Sequence, residues 1–176
     1  MSLNRAVVAL GAVAVVGVAT LGFSIPFASS KGHPVPNASV TSGSTWDQFA
    51  PAKDCWNDGK PLTAKQQAAC VAALNNQIKG NALPTVEAGS NGTLLLNLDK
   101  QGADKGWSAF TLGNTNGTAL VSNTKEQAAG PIATSSLFTV DQTTGAVSTT
   151  AVVRMVAGDS SSVYGVWQFE VKQKTS

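Results

Sequence analysis

The sequence predicts a mainly β protein: an antiparallel sandwich or small barrel with one packed helix, preceded by an N-terminal transmembrane or signal helix. Three observations carry this expectation. From Leu83 onward, short alternating apolar segments are separated by Asn91-Gly92, Asn116-Gly117 and Thr144-Gly145, pairs that favour tight turns between strands. Ahead of them, Ala64 to Lys79 is a run of helix formers with a capping signal at its start. At the N-terminus, Ala6 to Phe23 is uncharged and apolar, with Arg5 as the only charged side chain before it.

The apolar run sets the expected location. Positive charge precedes it, so the N-terminus should stay in the cytoplasm and the body should face outward. Its length falls between a signal h-region of 7–15 residues and a spanning helix of roughly 20. Reading on to Ala28, with Pro26 at the outer interface, gives a single-pass anchor over residues 1–28. Ala28 and Ser30 also fit a cut after Ser30, which would release a secreted chain. Both outcomes are expectations of the sequence. Residues 29–44, rich in Pro, Ser, Gly, Asn and Thr, read as an extracytoplasmic linker, and residues 45–176 as one helix-capped β domain.

The helix is the most sharply bounded element. Thr63 and Gln66 have the spacing of a capping box, in which each side chain satisfies a backbone N–H of the other. Cys70, Val71, Leu74 and Ile78 recur at helical spacing on one face, and Lys79 with Gly80 forms an ordinary C-terminal end. Cys55 and Cys70 are the only cysteines. Outside the cytoplasm such a pair is expected to form a disulfide, tying the helix to the segment carrying Trp46 and Trp56. Neither a CxxC redox spacing nor a set of Cys and His zinc ligands is present.

Strands are expected over Thr85–Ala88, Thr93–Leu98, Gly106–Leu112, Thr118–Val121, Ser136–Val140, Ala146–Val156 and Ser162–Lys172. In the last, Val163, Gly165, Trp167, Phe169 and Val171 should form a buried row, with Tyr164, Val166, Gln168, Glu170 and Lys172 on a wetter face. The cysteines precede the strands, so they cannot bridge two sheets as in an immunoglobulin domain.

Composition narrows the functions. Lys and Arg total 12 against 10 Asp and Glu, with the signs mixed along the chain, so no basic stripe exists to follow a nucleic acid backbone. The one histidine, His33, lies in the linker, where it is a poor general base. Asp99 and Asp104 are the nearest acid pair, but the interleaved Lys100 and Lys105 give them the pattern of a solvated loop. Asn97, Asp99, Gln101 and Asp104 loosely imitate calcium ligands without EF-hand spacing. The reading is therefore a protein without catalytic, cofactor or metal residues.

The sequence offers three candidate recognition residues. Arg154 stands between Val152 and Val156 on a predicted strand face, either as an edge-strand charge or as an interface anchor. Tyr164 and Gln168 would share the wetter face and could bind a saccharide or peptide.

The short n-region ending at Arg5, the Ala/Val/Gly leader, the Pro/Ser/Asn spacer and the small polar β domain together resemble small exported envelope proteins of actinobacteria. Among these, the outline is similar to single-span accessory subunits of the cytochrome bc–oxidase supercomplex. That resemblance implies a non-catalytic accessory subunit held in the lipid bilayer by its helix, with membrane protein subunits as partners. It transfers no individual binding residue. The alternative function is a secreted or tethered envelope ligand-binding module.

Overall fold

Alternation of buried and exposed residues organises the domain, and it is clearest where nine residues in a row keep the period of two. The computed structural model describes residues 34–112, 117–138 and 147–174, and the following statements concern these. Nine strands form two sheets. One is four-stranded, in the order β2-β1-β4-β7, built from β1 (Ala38–Ser42), β2 (Thr45–Phe49), β4 (Thr93–Leu98) and β7 (Ala128–Ala133). The other is five-stranded, in the order β3-β9-β8-β5-β6, built from β3 (Thr85–Ala88), β5 (Trp107–Leu112), β6 (Ala119–Thr124), β8 (Thr150–Gly158) and β9 (Val163–Gln173). One long helix, α1 (Ala64–Lys79), precedes β3, and a single turn, α2 (Lys100–Ala103), follows β4.

One apolar cluster joins the inward faces of both sheets. Ala38, Val40, Leu94, Leu96 and Leu98 come from the four-stranded sheet; Trp107, Val153, Met155, Trp167, Phe169 and Val171 come from the other. Burying a large side chain of this kind gains about 1.5–3 kcal/mol from the removal of apolar surface from water. Phe49, at the end of β2, stacks on Phe169 of β9 with ring centroids 5.2 Å apart, a direct contact between sheets. The buried indole of Trp167 donates from Nε1 to the Pro36 carbonyl at 3.1 Å, and that of Trp107 donates to the Glu126 carbonyl at 2.7 Å. Neither N–H is left unpaired in the interior.

A smaller apolar cluster lies on the opposite side of the five-stranded sheet. Ala52, Cys55, Leu62, Cys70 and Leu74 pack on Val166, with Val156 and Val163 beside them. The chain after β2 docks here by backbone pairing: Ala52 N–H donates to Val166 O, Val166 N–H to Cys55 O, and Leu62 N–H to Val163 O. Helix α1 then runs over β9, and the chain enters β3, which pairs parallel to β9 from Thr85↔Glu170 to Ala88↔Gln173.

The expected fold is corrected in several respects. The antiparallel sandwich or small barrel is corrected to two open sheets over one shared core: strands with only one neighbour exclude a closed barrel, and the parallel β3–β9 pair breaks the antiparallel pattern. The β3–β9 pair joins strands far apart in sequence, so no tight hairpin imposes an antiparallel direction on it. The linker expected over 29–44 contains strand β1, and β2 and β7 were not expected as strands. Within Ser136–Val140, the described part is the end of a 3₁₀ turn over Thr134–Ser136, followed by Leu137 and Phe138.

The N-terminal transmembrane or signal helix is corrected as well. Among the described residues no helix is long and apolar enough to cross a membrane. The run Ala6 to Phe23 on which that expectation rests, the candidate cut after Ser30 and His33 lie outside the described residues. The membrane anchor, the lipid-bilayer contact, the cell-membrane location and the supercomplex-subunit reading thus have no support here.

The helix matches its expected bounds. Gln66 N–H donates to Thr63 Oγ1 at 3.4 Å and Thr63 N–H to Gln66 Oε1 at 3.0 Å, so the capping box is formed in both directions. Gly80 N–H caps Asn76 O, and Asn81 takes the left-handed turn at φ 49°, a conformation asparagine tolerates. The buried stripe is narrower than expected. Cys70 and Leu74 face the sheet, while Val71 and Ile78 are exposed.

Candidate functional site

The disulfide Cys55–Cys70 forms as expected, and both cysteines are almost fully buried. It fixes the loop after β2 to the first half of α1, and thereby holds the helix over the outer face of β8 and β9. Its burial within an apolar cluster gives it a structural part.

The three candidate recognition residues do not share one accessible face. Gln168 is only 3% exposed: its Oε1 accepts from Arg154 Nε at 2.9 Å and from Nη2 at 2.6 Å, and its Nε2 donates to the Leu74 carbonyl at 3.3 Å. Arg154 and Gln168, directly opposite each other on β8 and β9, therefore form a polar strut from the sheet to α1. Partial burial lowers the pKa of the Arg154 guanidinium from its ordinary high value.

Tyr164 points the other way. Ala157 pairs with Gly165 and Gly158 with Val163, so Tyr164 is the extra residue of a β-bulge. Across the bulge the parity of β9 reverses: Val163 joins the cluster under α1, and Tyr164 packs against the core between the sheets. Lys105 Nζ lies 5.0 Å from the centre of its ring. Gly158 makes the bulge feasible, since it adopts φ +109°, a region that side chains rarely occupy. Gly158, two residues beyond the expected strand Ala146–Val156, was the only sequence signal for this reversal.

The acidic loop is local structure. Asp99 Oδ2 accepts from Asn37 N–H at 2.8 Å, joining the start of α2 to the strand entry, and Asp104 pairs with Lys100 at 2.7 Å on the surface. Asn97 lies on the other side of β4 from its buried leucines. The described residues contain no group of three or more His, Cys, Asp or Glu placed to hold a metal.

A different surface has the makings of a site. On the four-stranded sheet, Ala38, Val40, Leu96 and Leu98 face the core, so Ser39, Thr41, Leu95 and Asn97 face outward. Trp46 pairs with Thr41, and Thr41 with Leu95; Gln48 pairs with Ser39, and Ser39 with Asn97. Two cross-strand rows result, Trp46-Thr41-Leu95 and Gln48-Ser39-Asn97. Trp46 is 59% exposed and Leu95 38%, whereas Trp107 and Trp167 are wholly buried. A Cβ at Gly130 would lie 3.1 Å from Leu95 Cδ1, which places the leucine over the glycine of β7. These six side chains include no charge. They combine one large aromatic plane, one aliphatic group and four hydrogen-bonding groups on a shallow, strand-built surface.

Sequence reasoning missed this face because β1 and β2 lie in segments that read as linker and loop. The alternation in Ala38–Ser42, whose buried members are Ala38, Val40 and Ser42, is too small and polar to announce a strand. A second depression, of 520 Å³, lies between Lys53, Asp54 and the Ala69, Ala73 and Gln77 side of α1. It is open and floored mainly by alanine, with few groups that converge on a ligand.

Comparison with protein-family models, curated proteins and solved structures finds no match.

Proposed function

We propose that this chain is a secreted, non-catalytic binding module that recognises its ligand on the outward face of the four-stranded sheet. The observation that carries this reading is Trp46, a large aromatic left 59% exposed on the edge strand, at the end of an uncharged row of outward side chains. An indole held on a paired strand loses little freedom when a ligand covers it, so it gives contact area at low entropic cost. Neighbouring Thr41, Gln48, Ser39 and Asn97 supply oriented donors and acceptors. The buried disulfide supports an oxidising compartment outside the cytoplasm.

The reading replaces Tyr164 and Gln168 as the binding pair, since one packs on the core and the other is enclosed beneath α1. It is tested by incubating the protein with cell-envelope fractions and comparing the native chain with Trp46→Ala. Retention of the native protein and loss of the variant, with circular dichroism unchanged, is the expected result. Equal retention of both removes the sheet face from consideration.

A further inference from the structure

We infer that the ligand of this face is a neutral glycan, laid across the strands so that one sugar ring stacks on Trp46 and a further ring reaches Leu95. The inference rests on the binding-module reading and adds the chemical class and direction of the ligand. Paired residues on neighbouring strands stand side by side, so Trp46, Thr41 and Leu95 define a line perpendicular to the strands. Two strand spacings separate its ends, about 10 Å. That span suits a disaccharide repeat in an extended chain, with Thr41 beneath the linkage.

The second row runs parallel to the first, two residues along each strand, at about 7 Å. Gln48, Ser39 and Asn97 thus line the edge of a sugar resting on the Trp46 row, where its equatorial hydroxyls project. Amides and hydroxyls can each donate and accept, matching hydroxyl groups that do the same. The absence of Lys, Arg, Asp and Glu from both rows makes a neutral ligand the complementary one. An acidic polysaccharide or phosphate-bearing ligand would find no cation to pair with in either row.

Protein ligands are the competing class, because β2 is an edge strand and could accept an extended peptide. A peptide added at that edge would continue the sheet beside β2 and draw its affinity from backbone hydrogen bonds. It would not need the Trp46 and Leu95 side chains to lie in one row. The arrangement of side chains across β2, β1 and β4 therefore favours the glycan.

The test follows Trp46 fluorescence in the full chain, because Trp107 and Trp167 are fully buried and only Trp46 among the four indoles is more than half exposed. The probes are neutral β-1,4-linked oligomers of glucose and of N-acetylglucosamine, from disaccharide to hexasaccharide, with an acidic glycan and an extended peptide as comparison arms. Neutral oligomers are expected to shield the indole from acrylamide quenching, more strongly from the tetrasaccharide upward. Measured by isothermal titration calorimetry, which does not depend on the Trp46 indole, Trp46→Ala should weaken binding by about tenfold or more and Trp46→Tyr should restore much of it, since a second aromatic plane still stacks. Gln48→Ala with Asn97→Ala should weaken binding while leaving the fold unchanged. Binding of the peptide alone, or of the acidic glycan in preference to neutral ones, overturns the glycan assignment and leaves a binding module standing. Absence of binding to every neutral oligomer also overturns it. The underlying module reading falls separately, if envelope fractions retain neither the native protein nor Trp46→Ala.

Discussion

The two sheets turn opposite kinds of outer face to the surroundings. On the five-stranded sheet, Val156, Val163 and Val166 lie under a disulfide-pinned helix, and the polar pair Arg154 and Gln168 is spent on holding that helix. On the four-stranded sheet, Thr41, Leu95 and Trp46 lie under no described helix, with amides beside them. The difference teaches that exposure of an aromatic is informative only against its covering. The same residue type that stabilises the domain at Trp167 is available to a ligand at Trp46.

The sharpest break of this contrast is a pair of tryptophan truncations. Trp167→Ala removes a fully buried indole and its hydrogen bond to Pro36, and should destabilise the domain by about 3–5 kcal/mol in chemical denaturation. Trp46→Ala should change stability by no more than about 0.5 kcal/mol, since its side chain is mostly in water. Comparable losses at both positions would mean that the Trp46 face is covered in solution.

Next in size is the covering helix itself. Replacing Cys55 and Cys70 together by alanine should cost about 3 kcal/mol, the chain-entropy value for a loop of 15 residues, less any order in the denatured chain. Binding at the opposite face should survive wherever the variant remains folded. Loss of binding by a folded variant would couple the two faces and dissolve the distinction between them.

A smaller effect is expected from Gln168→Ala. It leaves the Arg154 guanidinium and the Leu74 carbonyl without their shared partner, at a cost of about 1–3 kcal/mol. Amide exchange should accelerate first in the half of α1 around Leu74, and a uniform acceleration through both sheets would contradict the strut.

The smallest effect is a response to pH in the β8–β9 turn. Asp159 is held below its ordinary pKa by the Ser161 hydroxyl and by the backbone N–H groups of Ser161 and Ser162. A carboxylate with a depressed folded pKa favours the folded state above its unfolded value of about 3.9, and that contribution disappears as the pH falls through the folded value. Asp159→Asn should therefore flatten the acid limb of the stability profile by lowering stability slightly at neutral pH, leaving the region below the folded pKa nearly unchanged. An unaltered acid limb would show that the turn does not report on folding.

Legibility in the sequence followed the size of the side chains. The helix at Ala64–Lys79 and the strands Thr85–Ala88 and Thr93–Leu98 stand at their expected bounds, because caps and large alternating residues leave one reading of each. Strands β1 and β7 are built from Ala, Ser, Thr, Gly and Pro with few large apolar residues, and their pairing comes from neighbours distant in sequence. The reversal at Tyr164 was hidden for another reason. A bulge changes which side chains share a face without changing the residues themselves, so Tyr164 and Gln168 look like companions in the sequence and are separated by the sheet.

Strand β9 has a temporal consequence. It supplies the pairing edge for β8, for β3 and for the chain around Ala52 to Leu62, and its indole reaches back to Pro36 across 131 positions. Each of those earlier segments waits for β9 before all its backbone groups are satisfied. Sequence-distant closure of this kind slows the search for the native state. A nascent chain halted before Val163 would hold β3 unpaired and α1 without Val163 and Val166 beneath it, so the earlier segments stay pliant until β9 has been delivered.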